Sequence, residues 1–192
     1  MFVRLCCWVT ALLVLAGCSD DASEPESGGP AGASATPTAT ASPTPSEPPE
    51  LAPGDTAVVG MTVGRRSGEV ALTVARVERG TIKDLRDFIL GKGVRTATPY
   101  YAHVRVQNRS RTDLAGGTPE LWGLDSANTV LPPVDVRGGF ATCESRPMPT
   151  SFTRGDKART CLMFLVRKGA TLSAVQYRYD DGMTEPVSWT VR

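Results

Sequence analysis

The chain has 192 residues, 21 Lys and Arg, 20 Asp and Glu, five Cys and one His. The near-balance hides an asymmetry. Residues 18–53 carry Asp20, Asp21, Glu24, Glu26, Glu47 and Glu50 and no base, so residues 54–192 hold twenty bases against fourteen acids, a net of about +6. No apolar run reaches the roughly 20 residues of a spanning helix.

Arg4 precedes an apolar run from Leu5 to Gly17 in which Thr10 is the only clearly polar residue. Its length, about 13 residues, is that of a signal-peptide core, so residues 1–17 read as a targeting segment outside the fold. Leu15-Ala16-Gly17-Cys18 resembles the lipobox of bacterial lipoproteins, a leucine and two small residues before an invariant cysteine. The resemblance implies a diacylglycerol thioether on Cys18 and cleavage before it. Two acyl chains exceed the single chain that binds a bilayer only marginally. The expected address is the outer face of a cell membrane, a location that disfavours nucleic acid as a partner.

Residues 18–53 are rich in Pro, Ser, Thr, Ala and Gly, with no aromatic residue and no apolar periodicity. Such a stretch buries too little surface to offset backbone entropy and is expected to be a disordered linker. Prolines 37, 43, 45, 48, 49 and 53 bias its second half toward extended polyproline II.

Residues 54–192 suit one domain with one core. Period-two alternation predicts strands near 57–63, 70–77 with a bulge at Ala75-Arg76, 100–107, 120–124, 129–131, 158–166, 172–179 and 187–191. The continuously apolar 158–166 run reads as a central strand. Residues 81–90 break the period: Ile82, Leu85 and Ile89 sit at helical spacing, with Thr81 and Asp84 as an N-cap pair and Gly91 as a stop. This predicts one short helix covering an open end of the fold. Seven or eight strands joined by turns predict an antiparallel β-sandwich.

Removal of residues 1–17 takes Cys6 and Cys7 with it, and lipid consumes Cys18. Cys143 and Cys161 then remain as an even pair in an oxidising compartment, which predicts a disulfide. A zinc pair is the alternative and lacks its other ligands.

The segments PYYAHVRVQNRSRTDL, LWGLDSANTV, ATCESRPMPTSFTRGDKARTCLMFLV and LSAVQYRYDD resemble the secreted and lipid-anchored immunoglobulin-like (telokin-like) domains of actinobacteria. The Cys–turn–Cys stretch is the most specific part. The resemblance covers about 98–191 and implies an all-β, immunoglobulin-like sandwich with a Cys143–Cys161 bridge. It brings no catalytic residue, because that group is largely uncharacterised.

The residues offer little chemistry. His103 is expected on a sheet surface, with no strained nucleophile motif to serve. Asp180-Asp181-Gly182 lacks the spacing of a calcium loop and reads as a hairpin turn. Tyr100, Tyr101 and Trp122 are candidates for a sugar platform, although core packing explains aromatics in a sandwich more simply, Trp122 and Trp189 included. Arg154-Gly155-Asp156 matches an integrin-read tripeptide but reads first as a turn. Arg65-Arg66 and Arg109/Arg111 are loop pairs that would meet an anionic lipid or cell-wall polymer if they cluster.

The expected function is therefore a non-enzymatic binding module of the cell envelope, with no catalytic residue, metal or cofactor. Its candidate partners are the membrane, through Cys18, and an envelope protein or anionic polymer. The alternatives are an envelope hydrolase whose site forms only in the fold, and a structural or stress lipoprotein without a discrete ligand.

Overall fold

The computed structural model describes residues 50–89, 91, 93–135, 139–179 and 184–192. Cys18 and the Asp180-Asp181-Gly182 turn lie outside these. Among the described residues eight strands form: β1 (Thr56–Val63), β2 (Arg66–Arg79), β3 (Thr98–Asn108), β4 (Leu121–Asp125), β5 (Val130–Leu131), β6 (Lys157–Val166), β7 (Leu172–Tyr177) and β8 (Val187–Thr190). They make two antiparallel four-stranded sheets, ordered β1-β2-β3-β6 and β5-β4-β7-β8. The fold is the all-β sandwich that the alternation predicts.

The alternation itself builds the core. Val59 and Met61, Val70, Leu72 and Val74, then Tyr100, Ala102, Val104 and Val106 point inward from three neighbouring strands. They meet Leu121, Val175, Tyr177 and Trp189 from the other sheet. The expected bulge lies between Val74 and Arg76 and keeps both Val74 and Val77 on the inner side. Two polar ties join the layers: the Trp189 indole N–H donates to the Asp55 carbonyl at 3.0 Å, and the Tyr177 hydroxyl donates to the Gly60 carbonyl. Gly123 is required by close approach, since a Cβ there would lie 3.1 Å from the Phe164 ring. Trp122 departs from expectation: it is half-buried on the outer side of β4 and takes no part in the core, while Trp189 is fully buried.

A second apolar cluster lies on the outside of the first sheet. Tyr101, Cys161 and Met163 face away from the core and are covered by Leu85, Phe140 and Cys143. Residues 81–89 belong to this cover, not to an open end of the sandwich. They are also not an α-helix: among these described residues only Ile82–Leu85 are helical, and of the 3-10 kind. Successive bonds from Asp84, Arg86 and Phe88 N–H to the carbonyls three residues back set a period of three. That period places Leu85 and Phe88 against the sheet and leaves Ile89 fully exposed.

β6 corrects another expectation. It stands at the end of its sheet's order rather than in the middle. Its unbroken apolar run reflects cover on both faces. The segment before it supplies the outer cover through Phe140 and Cys143, and it also pairs with the strand's free edge, with Val134 N–H bonded to Met163 O at 2.7 Å and Cys161 N–H to Glu144 O at 3.1 Å. Cys143 and Cys161 are joined as a disulfide, Cα atoms 5.1 Å apart, which staples this segment to the strand.

Candidate functional site

Beyond the cover, the outer face of the same sheet is open. Strand register lays its side chains out in rows. One row runs Thr56, Thr73, Arg105, Arg159 across β1, β2, β3 and β6. The next runs Val58, Ala71, Gln107, Lys157. On the other side of the first row lie Arg76 and His103, next to the covered Cys161.

Arg105 and Arg159 are thus direct cross-strand neighbours, both exposed, both charged. Opposed Cβ atoms sit about 5 Å apart, and like charges so placed are destabilising. Among the described residues, neither arginine nor Lys157 has a carboxylate within ion-pair distance. Two shallow grooves, of about 570 and 450 Å³, share Arg105 and Arg159 in their walls. One adds Thr73, Gln107 and Lys157, the other Arg76 and His103.

The acids flank this patch. Glu78 accepts from Arg76 Nε at 2.5 Å and lies 3.5 Å from His103 Nε2. The bond from Arg76, helped by the charges of Arg76 and His103, holds its carboxyl below the ordinary range. Glu69 closes the other end of β2's outer face. His103 is half-buried among these groups, as a sheet-surface residue, and its polar partners among the described residues are Arg76 and Glu78.

Other displaced carboxyls are tied to loop geometry. Asp84 accepts the Thr81 N–H at 2.8 Å, the Thr81 hydroxyl at 2.8 Å and the Tyr101 phenol at 3.1 Å, and the Thr81 N–H bond is the main cause of its lowered pKa. The buried Tyr101 phenol is pushed well above its usual value by desolvation and then by Asp84. Asp113 is lowered first by the Phe152 N–H, and Asp125 first by the Thr129 N–H.

The remaining sequence candidates are separated. Tyr100 is in the core and Tyr101 under the outer cover, so no sugar platform forms from them. Arg154-Gly155-Asp156 makes the turn into β6: Gly155 has φ 92°, and Asp156 accepts the Thr153 N–H at 2.7 Å and hydroxyl at 2.9 Å. Arg66 is not in a loop but opens β2; its guanidinium donates to Ala115 O at 3.0 Å, and Arg109 N–H donates to Glu69 O of the same strand at 2.9 Å, so the segment after β3 is tied to the start of β2. Arg105, Arg159 and Lys157 were not singled out by sequence. Their signal is the outward phase of two strands, but β3 and β6 lie some fifty residues apart, and the register that makes them neighbours is tertiary.

The class defined so far is an antiparallel β-sandwich with an uncompensated basic half-face. No helix among the described residues is long and apolar enough to cross a membrane, and none of their His, Cys, Asp and Glu groups is suited to a metal ion. No family model and no curated protein matches the sequence. Among solved structures, the chain is similar to MPT63, a secreted protein from Mycobacterium tuberculosis, with a TM-score of 0.52 and 13% identity over 76% of this chain and 99% of that one. That likeness is one of fold. A functionally unknown protein from Listeria monocytogenes EGD-e matches more loosely, with a TM-score of 0.34 and 13% identity over 73% of this chain and 89% of that one, and carries no argument.

Proposed function

We propose that this chain is an extracytoplasmic binding module of the cell envelope, anchored by lipid on Cys18 and without a catalytic role. The observation that carries the binding role is the Arg105–Arg159 pair: an unfavourable like-charge contact kept on an open face is a stability cost that an anionic partner would offset. The lipobox-like Leu15-Ala16-Gly17-Cys18 supports the anchor. The Cys143–Cys161 bridge suits an oxidising compartment, and MPT63, which shares the sandwich, is described as secreted. In this reading the domain belongs to the actinobacterial lipoproteins whose motifs it resembles, and the acidic, proline-rich linker is a spacer.

Three measurements test the proposal. Labelled palmitate should enter the wild type and not Cys18→Ala; equal labelling removes the anchor. Crosslinking in intact envelope should capture a component through the domain. Turnover of cell-wall or ester substrates that disappears in His103→Ala would replace the binding module with an enzyme.

A further inference from the structure

We infer that the open half of the β2-β3-β6 outer face binds a linear, phosphate-bearing polymer of the envelope, with Arg105, Arg159 and Lys157 as its principal phosphate contacts. The inference rests on the binding reading above and names the partner's chemistry and the face that meets it.

Three features select this ligand. The first is charge without neutralisation. Arg105, Arg159 and Lys157 lie on two paired strands, and among the described residues none is in an ion pair. Basic side chains on an edge strand are one way to prevent edge-to-edge aggregation, and that accounts for Lys157 and Arg159 on β6. It does not account for Arg105, which lies on an interior strand.

The second is spacing. The Cβ atoms of Arg105 and Arg159 face each other across about 5 Å, and Lys157 precedes Arg159 by two residues, about 7 Å along the strand. Three cations thus recur at intervals suited to successive anions on a chain rather than to one small anion. Guanidinium groups also match phosphate oxygens by forked hydrogen bonds.

The third is what surrounds them. The rows continue into Thr73, Ala71 and Gln107, small or polar groups that leave shallow grooves beside the arginines. Surfaces that settle into lipid headgroups add aromatic or long aliphatic side chains to the cations. Here Tyr101, Met163 and Leu165, which have that character, are packed in the cluster under the cover. The neighbouring Val58 is the single large exposed apolar group in the two rows. The phosphate source is therefore a polymer and not a bilayer.

The test uses the chain from residue 18 onward carrying Cys18→Ser, so that no acyl chain reaches the vesicle arm. The probe is poly(glycerol phosphate) of defined length, titrated at several salt concentrations. Wild type should bind with a salt-dependent affinity, and Arg105→Gln/Arg159→Gln should weaken it roughly tenfold or more and flatten the log–log salt slope by about 1.5. Arg65→Gln/Arg111→Gln, equal in charge and placed in loops, should leave both nearly unchanged. Because the face variant removes a like-charge contact, a folding defect does not explain its loss, and its melting curve verifies this.

Absence of wild-type binding to the polymer overturns the phosphate-polymer inference. If the envelope crosslinking above still captures a component, the binding-module reading stands without it. Equal losses from the loop variant and the face variant overturn the assignment to this face. Binding to phosphatidylglycerol vesicles as tight as to the polymer, with the same dependence on Arg105 and Arg159, overturns the polymer as source.

Discussion

The two halves of one sheet face make the instructive comparison. β3 and β6 run the full length of that face, and both alternate inward and outward side chains throughout. Toward one end the outward residues are Tyr101, Met163 and Leu165, and a 3-10 turn and a disulfide-stapled loop are folded over them. Toward the other they are Arg105, Gln107, Arg159 and Lys157, and the face is bare. The same strands carry a structural surface and a candidate binding surface, divided near His103 and Cys161, which are register partners. Apolar outward groups gain free energy when covered. Desolvating unpaired guanidinium groups is costly, so the chain's own loops stop short of them.

The largest effect is expected where the cover is anchored. Leu85 is 1% exposed at the centre of the outer cluster. Leu85→Ala should cost about 2–5 kcal/mol of the cover's stability. Amide exchange should accelerate in the covering segments before the inner strands respond. Uniform acceleration across both sheets would mean the cover and the sandwich unfold as one unit.

Removing the Cys143–Cys161 bridge, by Cys143→Ser with Cys161→Ser, opens a loop of 18-residue separation. On the chain-entropy account this costs about 3 kcal/mol. Denaturant titration checks the magnitude. Limited proteolysis should locate the first new cleavage between 132 and 148; first cleavage in a β-strand would contradict the stapling role.

The open half should respond in the opposite direction. Arg159→Glu converts the like-charge pair with Arg105 into an opposite-charge pair and should stabilise the fold by roughly 0.2–1 kcal/mol, while abolishing polymer binding. A urea midpoint that falls would show that the arginines do not repel each other.

Acid should loosen the cover through Asp84. Its carboxyl is lowered from 3.8 in the folded state, chiefly by the Thr81 N–H. A depressed folded value means that its contribution is complete above the unfolded value and is lost as pH falls below about 3.8 and through the folded value. The near-ultraviolet signal of Tyr101, whose phenol donates to Asp84, should change over that interval in the wild type. In Asp84→Asn this component should be absent. A change between pH 5 and 7 would point to another group.

Much of this was legible in the chain. Local alternation located all eight strands to within a few residues, and it placed the bulge at Ala75-Arg76, because a strand that is wet on one face writes its period directly into sequence. The expected strands at 120–124 and 129–131 bracket the turn after β4, where Asp125 accepts the Ala127 and Thr129 N–H groups and Asn128 takes φ 58°. The 81–90 segment misled because Ile82, Leu85, Phe88 and Ile89 satisfy periods of three and of nearly four at once. Packing against Tyr101 and Phe140 chose the shorter period, with the Phe88 and Phe140 rings edge to face at 5.8 Å. β6 misled for a related reason: burial by a loop and burial inside a sheet leave the same apolar run.

Sequence alone determined what depends on neighbours a few residues apart: strand phase, turn chemistry and the even cysteine pair, together with the lipobox-like motif and the acidic linker before a basic domain. The tertiary structure alone decided which strands are partners. It set Arg105 beside Arg159, moved the disulfide loop over Tyr101 and Met163, and left the charged half uncovered. Register between distant strands arises from the summed fit of both faces, and no local pattern in β3 or β6 contains it.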